Sequence, residues 1–344
     1  MIPQWRDSRS DELIGEGSGR TPPPREIVAF HDHGSPMSDL ARVVLDALGQ
    51  EPKSLAGLAL IDRRSAALRQ LCGLPEYYLQ RCEVEILRTH GEAIAAVIGA
   101  HAQLIGIGGG CLDQIRHLIS ALTDPWAFVT VDDEREGLLA DARLVQQLWP
   151  RLWVEAVRAD LQASMTLPPN AGGGRRIAYM PGNIIGNFDP ASAIGLLAQL
   201  GAAVGAGGLI LVTVDLRKSP LIVSSAYDDP HGCNQALILG VLDRLNRQLD
   251  ATFDPRLFEH HVRYEPERGC VSANLVSLGP QDVRIAGTVF RFAQGEALLV
   301  ERSWKYEVDD FRALARGAGL RPIGLWQDAR AYVGSFLLEV MPTD

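Results

Sequence analysis

The alternation of apolar and polar positions changes character near residue 84, where a regular succession of helices and strands begins. Residues 84–100 place apolar side chains at helical spacing. A short apolar strand follows over 103–109 and ends in glycines. The pattern then predicts a helix over 112–122, a strand over Ala127–Asp132, a helix over 138–148 and a strand over 153–160. It continues with a strand over 176–182, a helix over Pro190–Val204 and a strand over Leu209–Asp215. Asp189 precedes a proline at the first helical position, a strong helix start. Three of these strands end in an acid.

Strands that are apolar on both faces and alternate with helices imply a parallel sheet covered on both sides. Ligands of such sheets bind at the carboxyl ends of the strands, where the glycines and acids of this chain lie. After a predicted helix over 236–249, the signals change to strands over 261–265, 270–278, 283–292 and 298–306 without intervening helices. These read as antiparallel ribbons of a second, smaller α+β part. A helix over 309–318 and strands over 322–328 and 333–341 are expected to return to the first sheet as an antiparallel hairpin, so that the second part is an insertion. The expected organisation is a disordered lead-in over 1–25 and a helical segment over 26–80 that joins the substrate part. The nucleotide-binding type domain covers 81–217 and 306–344, and the inserted domain 218–305. The runs at 21–24 and 172–174 read as loops.

Composition narrows the class. Of 344 residues, 47% are hydrophobic and 22% charged, ample for a sizeable core. Thirty-three basic against 42 acidic residues leave a net charge of −9, which argues against a nucleic-acid partner. No apolar run approaches the roughly 20 residues of a membrane helix, and the polar start lacks the apolar stretch of a signal peptide. A cytoplasmic location is expected. The five cysteines form no CxxC pair, so neither a disulfide framework nor a zinc site is expected. The pairs His31/His33 and His260/His261, and His231, have no cysteine or carboxylate at ligand spacing.

Four segments carry candidate chemistry. LIGIGGG at 104–110 takes a strand through a glycine turn into a helix, as a nucleotide turn or a purely structural turn would. Asp132 ends the second strand, where an acid can accept both ribose hydroxyls of an adenosine, though Asp133 and Glu134 are equally acidic neighbours. Asp160 ends the third strand and suits either an adenine-side contact or a helix cap. PGNIIGNFDP at 181–190 follows the fourth strand and offers amide donors to a carboxylate, or simply turn geometry.

Together with LPEYY (74–78), GNF (186–188), AYDDP (226–230), FDP (253–255), FEH (258–260) and SWKY (303–306), these segments resemble the histidine Nα-methyltransferases of the ergothioneine pathway from about residue 50 onward. The resemblance implies a Rossmann-like class I methyltransferase domain of α/β class with an inserted α+β substrate-binding domain. It implies S-adenosyl-L-methionine as cofactor and a free amino acid as substrate, histidine or a derivative of it. On the cofactor side it implies Tyr77 at the methionine part, Gly108 and Gly110 in the turn, Gln114 in the helix after it, Asp132 at the ribose, and Asp160 with Leu161 at the adenine. On the substrate side it implies Asn187 and Tyr227, with Gly182 nearby, at the carboxylate, and Glu301 and Ser303 at the imidazole.

Several positions depart from that family. Gln114 stands where a lysine is usual, and Gly106 where an acid is usual. Leu60 and Leu68 align with aromatic residues, and Ala273 with a methionine that packs on the imidazole. A larger pocket that takes a tryptophan-like or modified amino acid is one expectation from these changes. A cofactor-binding protein without methylating chemistry, or a cyclisation of the cofactor's own aminobutyrate arm, is another. Intact Asn187, Tyr227, Glu301 and Ser303 weigh against both, because neither alternative needs a complete substrate clamp.

Overall fold

The computed structural model describes residues 29–34, 37–58, 60–161 and 165–342. The expected lead-in over 1–25 lies outside them. Eight strands form the main sheet: β1 (Ala29–Asp32), β2 (Gln103–Ile107), β3 (Ala127–Asp132), β4 (Trp153–Arg158), β5 (Arg176–Met180), β6 (Leu209–Asp215), and the last two of the chain, β12 (Leu320–Gln327) and β13 (Val333–Val340). Their spatial order is β1-β4-β3-β2-β5-β6-β13-β12. All neighbours are parallel except β13, which runs antiparallel to both β6 and β12. The chain proceeds outward from β2 in one direction through β3 and β4, and in the other through β5 and β6. That reversal opens a crevice at the carboxyl end of β2.

Helices cover both faces because the strands are apolar on both. On one side α3 (Leu79–Ile98), α4 (Leu112–Ala121) and α5 (Arg135–Leu148) bury Leu87, Ile94, Leu118, Leu138 and Val145 with Leu104, Phe128 and Tyr179. On the other, α6 (Pro190–Val204) and α9 (Val308–Gly317) bury Leu197, Leu200 and Phe311 with Ile105, Val129 and Val212.

A second core stands beside the carboxyl ends. β7 (Phe258–Glu265), β8 (Cys270–Ser277) and β11 (Ala297–Trp304) form an antiparallel sheet in the order β11-β8-β7, next to the hairpin β9 (Gln281–Ile285) and β10 (Thr288–Phe292). α8 (Cys233–Leu249) and α1 (Met37–Leu48) supply Val241, Leu242, Leu245, Val44 and Leu48 to this core. Two short helices link the layers, α2 (Ala66–Cys72) and α7 (Pro220–Tyr227).

The structure corrects three readings of the pattern. The stretch 283–292 is not one strand but the arms of a hairpin, turned at Ala286 and Gly287, both at positive φ. An alanine at the first turn position carries none of the usual turn chemistry, so the apolar run looked continuous. α7 was missed because PLIV has no amphipathic period, although Pro220 stands at its first turn. β1 was missed because four residues, AFHD, do not make a strand signal by themselves; they add as a parallel edge beside β4.

Asp189 caps α6 as its sequence context predicts, accepting hydrogen bonds from the N–H groups of Ala191 at 3.0 Å and Ser192 at 3.1 Å. Asp189→Ala should lower unfolding free energy by about 1 kcal/mol, measured by denaturant titration at neutral pH. These N–H donors hold the Asp189 carboxyl below its ordinary range. The cap's contribution is therefore present above the ordinary carboxylate pKa and is lost as pH falls through the lowered value.

Candidate functional site

The glycine turn closes β2 under tight steric control. Gly108 and Gly110 have φ of +76° and +79°, which only glycine adopts without strain. A Cβ on Gly108 would lie 2.7 Å from Ile184, and one on Gly110 would lie 2.6 Å from the carbonyl of Arg63. Gly106, one residue pair earlier, sits inside β2 beneath Phe128, whose ring would stand 3.0 Å from an added Cβ. The space that an acid side chain would need at Gly106 is filled by that ring.

Asp132 lies at the carboxyl end of β3, buried and facing the turn. Its Oδ2 accepts from the Gly109 N–H, and its Oδ1 accepts from the Glu134 N–H at 3.0 Å. Arg64, on the segment leading into α2, reaches across to this acid. Its Nη2 donates to Asp132 Oδ2 at 3.1 Å and to Asp141 Oδ2 at 2.9 Å, and Glu134 lies 3.6 Å away. Asp141 also accepts from the Gly110 N–H at 3.2 Å. The guanidinium lies directly in front of Gly109 and Gly137, where a Cβ on either would overlap it. Its neighbour Arg63 is half-buried, donates to the Cys111 thiol at 3.2 Å and packs against Gly182. Neither arginine is marked by a motif in the sequence.

The other expected cofactor-side residues are distributed along this crevice. Asp160 is exposed just beyond β4, and Leu161 packs partly against the core under Ala159 and Val131. Gln114 is buried in α4 and donates its amide to Glu83 at 3.3 Å. Glu83 also accepts from Tyr179 at 2.7 Å, from Gly182 N–H at 3.0 Å and from Thr213. Burial raises the Glu83 carboxyl even against these four donors. Tyr77 packs with Leu68, Leu71, Leu74 and Leu237 beside α2. Burial raises its phenol, with Tyr227 and Glu301 close enough to add to the effect and Arg63 to oppose it.

The substrate-side residues meet where β11 crosses the end of β6. Glu301, Ser303 and Lys305 alternate along one face, as side chains in extended chain do. Ala273 on β8 is the cross-strand partner of Glu301, so the two stand side by side. Burial pushes the Glu301 carboxyl up to about 7, although Lys305 and Arg63 draw it down. Tyr227 ends α7, and its hydroxyl lies 2.7 Å from Ser303 Oγ. Lys305 is fully buried and donates to Tyr227 at 2.6 Å, to Ser303 at 2.7 Å and to Asp215 at 2.8 Å. Asp215, at the end of β6, also accepts from Tyr78 at 3.0 Å and pairs with Lys218. Burial lowers the Lys218 ammonium, and Asp215 partly restores it.

The two asparagines of 181–190 divide the work. Asn183 is buried with φ +55°, accepts from the Asp215 N–H at 2.9 Å and donates to Ser303 Oγ at 3.3 Å. Asn187 ends a 3-10 turn over Ile184–Asn187, half-buried, and its amide makes no hydrogen bond among the described residues. Leu60 is buried in the second core with Leu55 and Val241, and Leu68 is half-buried within α2. Thus Tyr77, Tyr227, Glu301 and Ser303 converge, while Arg63, Arg64, Asp141, Asn183, Asp215 and Lys305 join them unforeseen. Asn183 lies within the 181–190 segment and Lys305 within SWKY, Asp215 ends a strand, and Arg63, Arg64 and Asp141 belong to no motif. Among the described residues no cluster of His, Cys, Asp and Glu could hold a metal, and no helix is long and apolar enough to cross a membrane.

A family model described as histidine-specific methyltransferase, SAM-dependent, matches residues 40–340. The histidine N-alpha-methyltransferase of Mycobacterium tuberculosis is 32% identical over 295 residues, covering 84% of this chain and 91% of that protein. The protein of the same name from Mycolicibacterium smegmatis matches with the same identity and coverage. Among solved structures, an S-adenosylmethionine-dependent methyltransferase from Clostridium acetobutylicum aligns over 77% of this chain and 92% of its own, at 11% identity and a TM-score of 0.40. With a family match that spans most of its length, this chain belongs to the histidine-specific, S-adenosyl-L-methionine-dependent methyltransferases.

Proposed function

We propose that this protein methylates the α-amino group of free L-histidine or a close histidine derivative, using S-adenosyl-L-methionine. The observation that carries the reading is the convergence of Tyr227, Ser303 and Glu301 on one face, beside the crevice at the end of β2. The two anchors suit the two ends of one amino acid. Tyr227 and Asn187 take the carboxylate and Glu301 takes an N–H of the side chain, while Ser303, bonded to the Tyr227 hydroxyl at 2.7 Å, supports the carboxylate anchor instead of reaching the ring. A functional division follows, with 81–217 and 306–344 holding the cofactor and 26–80 and 218–305 completing the substrate site.

The crevice fits the cofactor. The glycine turn leaves backbone bare where a Cβ would clash, and acids end β3 and, two residues on, β4. Gly108, Gly110, Asp132, Asp160, Leu161 and Tyr77 would hold it, with Gln114 steadying the turn through Glu83. When bound, S-adenosyl-L-methionine supplies an electrophilic methyl group on a sulfonium. The protein's own contribution is orientation and exclusion of water. Two anchors at opposite ends of the substrate fix the direction of the amine lone pair between them. No strong base is required once the amine is neutral.

Arg64 stands where a ribose held by Asp132 would lie, so its side chain would have to leave Asp132 when cofactor enters. Ala273 beside Glu301 leaves room next to the ring, which favours histidine derivatives as well as histidine.

The direct test is mass spectrometry of the purified protein with S-adenosyl-L-methionine and a pool of free amino acids. Histidine carrying added methyl groups supports the reading, and no methylated amino acid from the pool or from histidine derivatives overturns it. Glu301→Gln should raise the KM for histidine about tenfold or more at pH 8, the worth of one charge-assisted hydrogen bond. In the wild type, affinity should fall as pH drops below about 7, because the raised Glu301 carboxyl then protonates and no longer accepts freely. The glutamine variant should lack that inflection. It should also be more stable than wild type at pH 8, by on the order of 1–3 kcal/mol, since a raised carboxyl opposes folding once ionised. Arg64→Ala should tighten cofactor binding by about tenfold, equal to about 1.4 kcal/mol, read by calorimetry. Weaker binding would make Arg64 a cofactor contact instead of an occupant to be displaced.

A further inference from the structure

The hydroxyls of Tyr227 and Ser303 are not free to choose their hydrogen-bond roles. Lys305, as an ammonium, has three N–H donors and no lone pair. All three are spent, on Asp215, Tyr227 and Ser303. Ser303 Oγ therefore accepts from Lys305, and it also accepts from Asn183 at 3.3 Å. Both of its lone pairs are taken, so in the 2.7 Å contact with Tyr227 it is Ser303 that donates. Tyr227 then accepts from Lys305 and from Ser303. Its own O–H has no acceptor among the described residues and is left as a donor for something else. Behind it, two ammonium groups, Lys305 and Lys218, face the single carboxylate of Asp215.

We propose that Lys305 is a positioning residue that makes Tyr227 an obligate donor to the substrate's α-carboxylate, so that the enzyme selects free amino acids over their amides. The inference rests on the reading of Tyr227 as a substrate contact. Lys305 itself is fully buried, so it acts through Tyr227 and not by touching the substrate. Without it, the Tyr227 and Ser303 hydroxyls become free to donate to each other or outward, and the positive charge one hydroxyl away from the carboxylate disappears. An amide accepts only a neutral hydrogen bond from Tyr227, weaker than the charge-assisted bond to a carboxylate, so it loses less by either change.

The test compares Lys305→Met with wild type on histidine and on histidinamide. Each substrate is compared only with itself across the two enzymes, so the different basicity of the two amines cancels. The kcat/KM for histidine should fall by about thirtyfold, the range of a hydrogen bond to a charged group, while that for histidinamide changes less than about threefold. Binding of S-adenosylhomocysteine should stay within about threefold, which shows that the crevice is intact. Tyr227→Phe should give the same carboxylate-selective loss, and the double variant should be no worse than the more impaired single variant. Equal loss on both substrates in Lys305→Met, or in Tyr227→Phe should Lys305→Met fail to fold, would overturn the inference while leaving the methyltransferase reading in place. A wild-type protein that methylates no free amino acid would overturn the functional reading first, and this one with it.

Discussion

The contact between Lys305 and Asp215 is the constraint on which the rest of the site depends. Both side chains are wholly buried, and a buried charge is tolerated only when paired and hydrogen-bonded. The partners come from different layers: Asp215 from the end of β6, Lys305 from the tail of β11, Tyr227 from α7 and Tyr78 from the start of α3. Losing one partner of such a pair commonly costs 3–5 kcal/mol, because the other charge is stranded. The network therefore holds the small sheet in register against the large one. One residue of this joint, Tyr227, also faces the proposed substrate.

A second joint crosses the crevice a short way off, and it has a different character. Arg64 bridges Asp132 and Asp141, and Arg244 of α8 approaches Asp133 at 3.6 Å. The Arg64 side chain keeps 21% of its surface in solvent, against none for Lys305. Partly wetted pairs are weak, screened by salt and readily exchanged. In the proposed reading, the dry joint preserves the substrate anchors while the wet one yields to a ligand. This division suits a protein that must admit and release a cofactor without dismantling its substrate site.

What the sequence made legible and what it hid follow the range of the forces involved. The strands Ala127–Asp132 and Leu209–Asp215 and the helix Pro190–Val204 were predicted to the residue, because local periodicity and the Asp189–Pro190 start signal define them. The insertion of β13 between β6 and β12 was only half visible: a terminal hairpin could be read, but not which strand would be central. Arg64 and Lys305 were invisible as site residues for a different reason. Their roles arise from contacts 68 to 90 residues away along the chain, with Asp132 and Asp215, and a lone basic residue in a sequence says nothing about which acid it will meet. Asn183 and Asn187 could not be told apart by type. Only the left-handed backbone at Asn183 turns its amide inward to Asp215 and Ser303.

Glu301 shows why the anchors cannot simply be optimised for stability. Its carboxyl has no hydrogen-bond donor among the described residues, and Ala273 beside it offers only a methyl group. The Asp132 and Asp229 carboxylates, by contrast, each accept several N–H bonds and are held below their ordinary range. An acid left unsatisfied in an apolar setting is a local cost to folding. That cost is relieved when a ligand brings its own N–H to the carboxylate. Lys305 works in the opposite sense, since it is fully satisfied and fixes its neighbours by using every donor it has. Rigid donors at the carboxylate end and an unsatisfied acceptor at the ring end together define the polarity a substrate must have, and an amino acid whose side chain offers an N–H is the molecule that matches it.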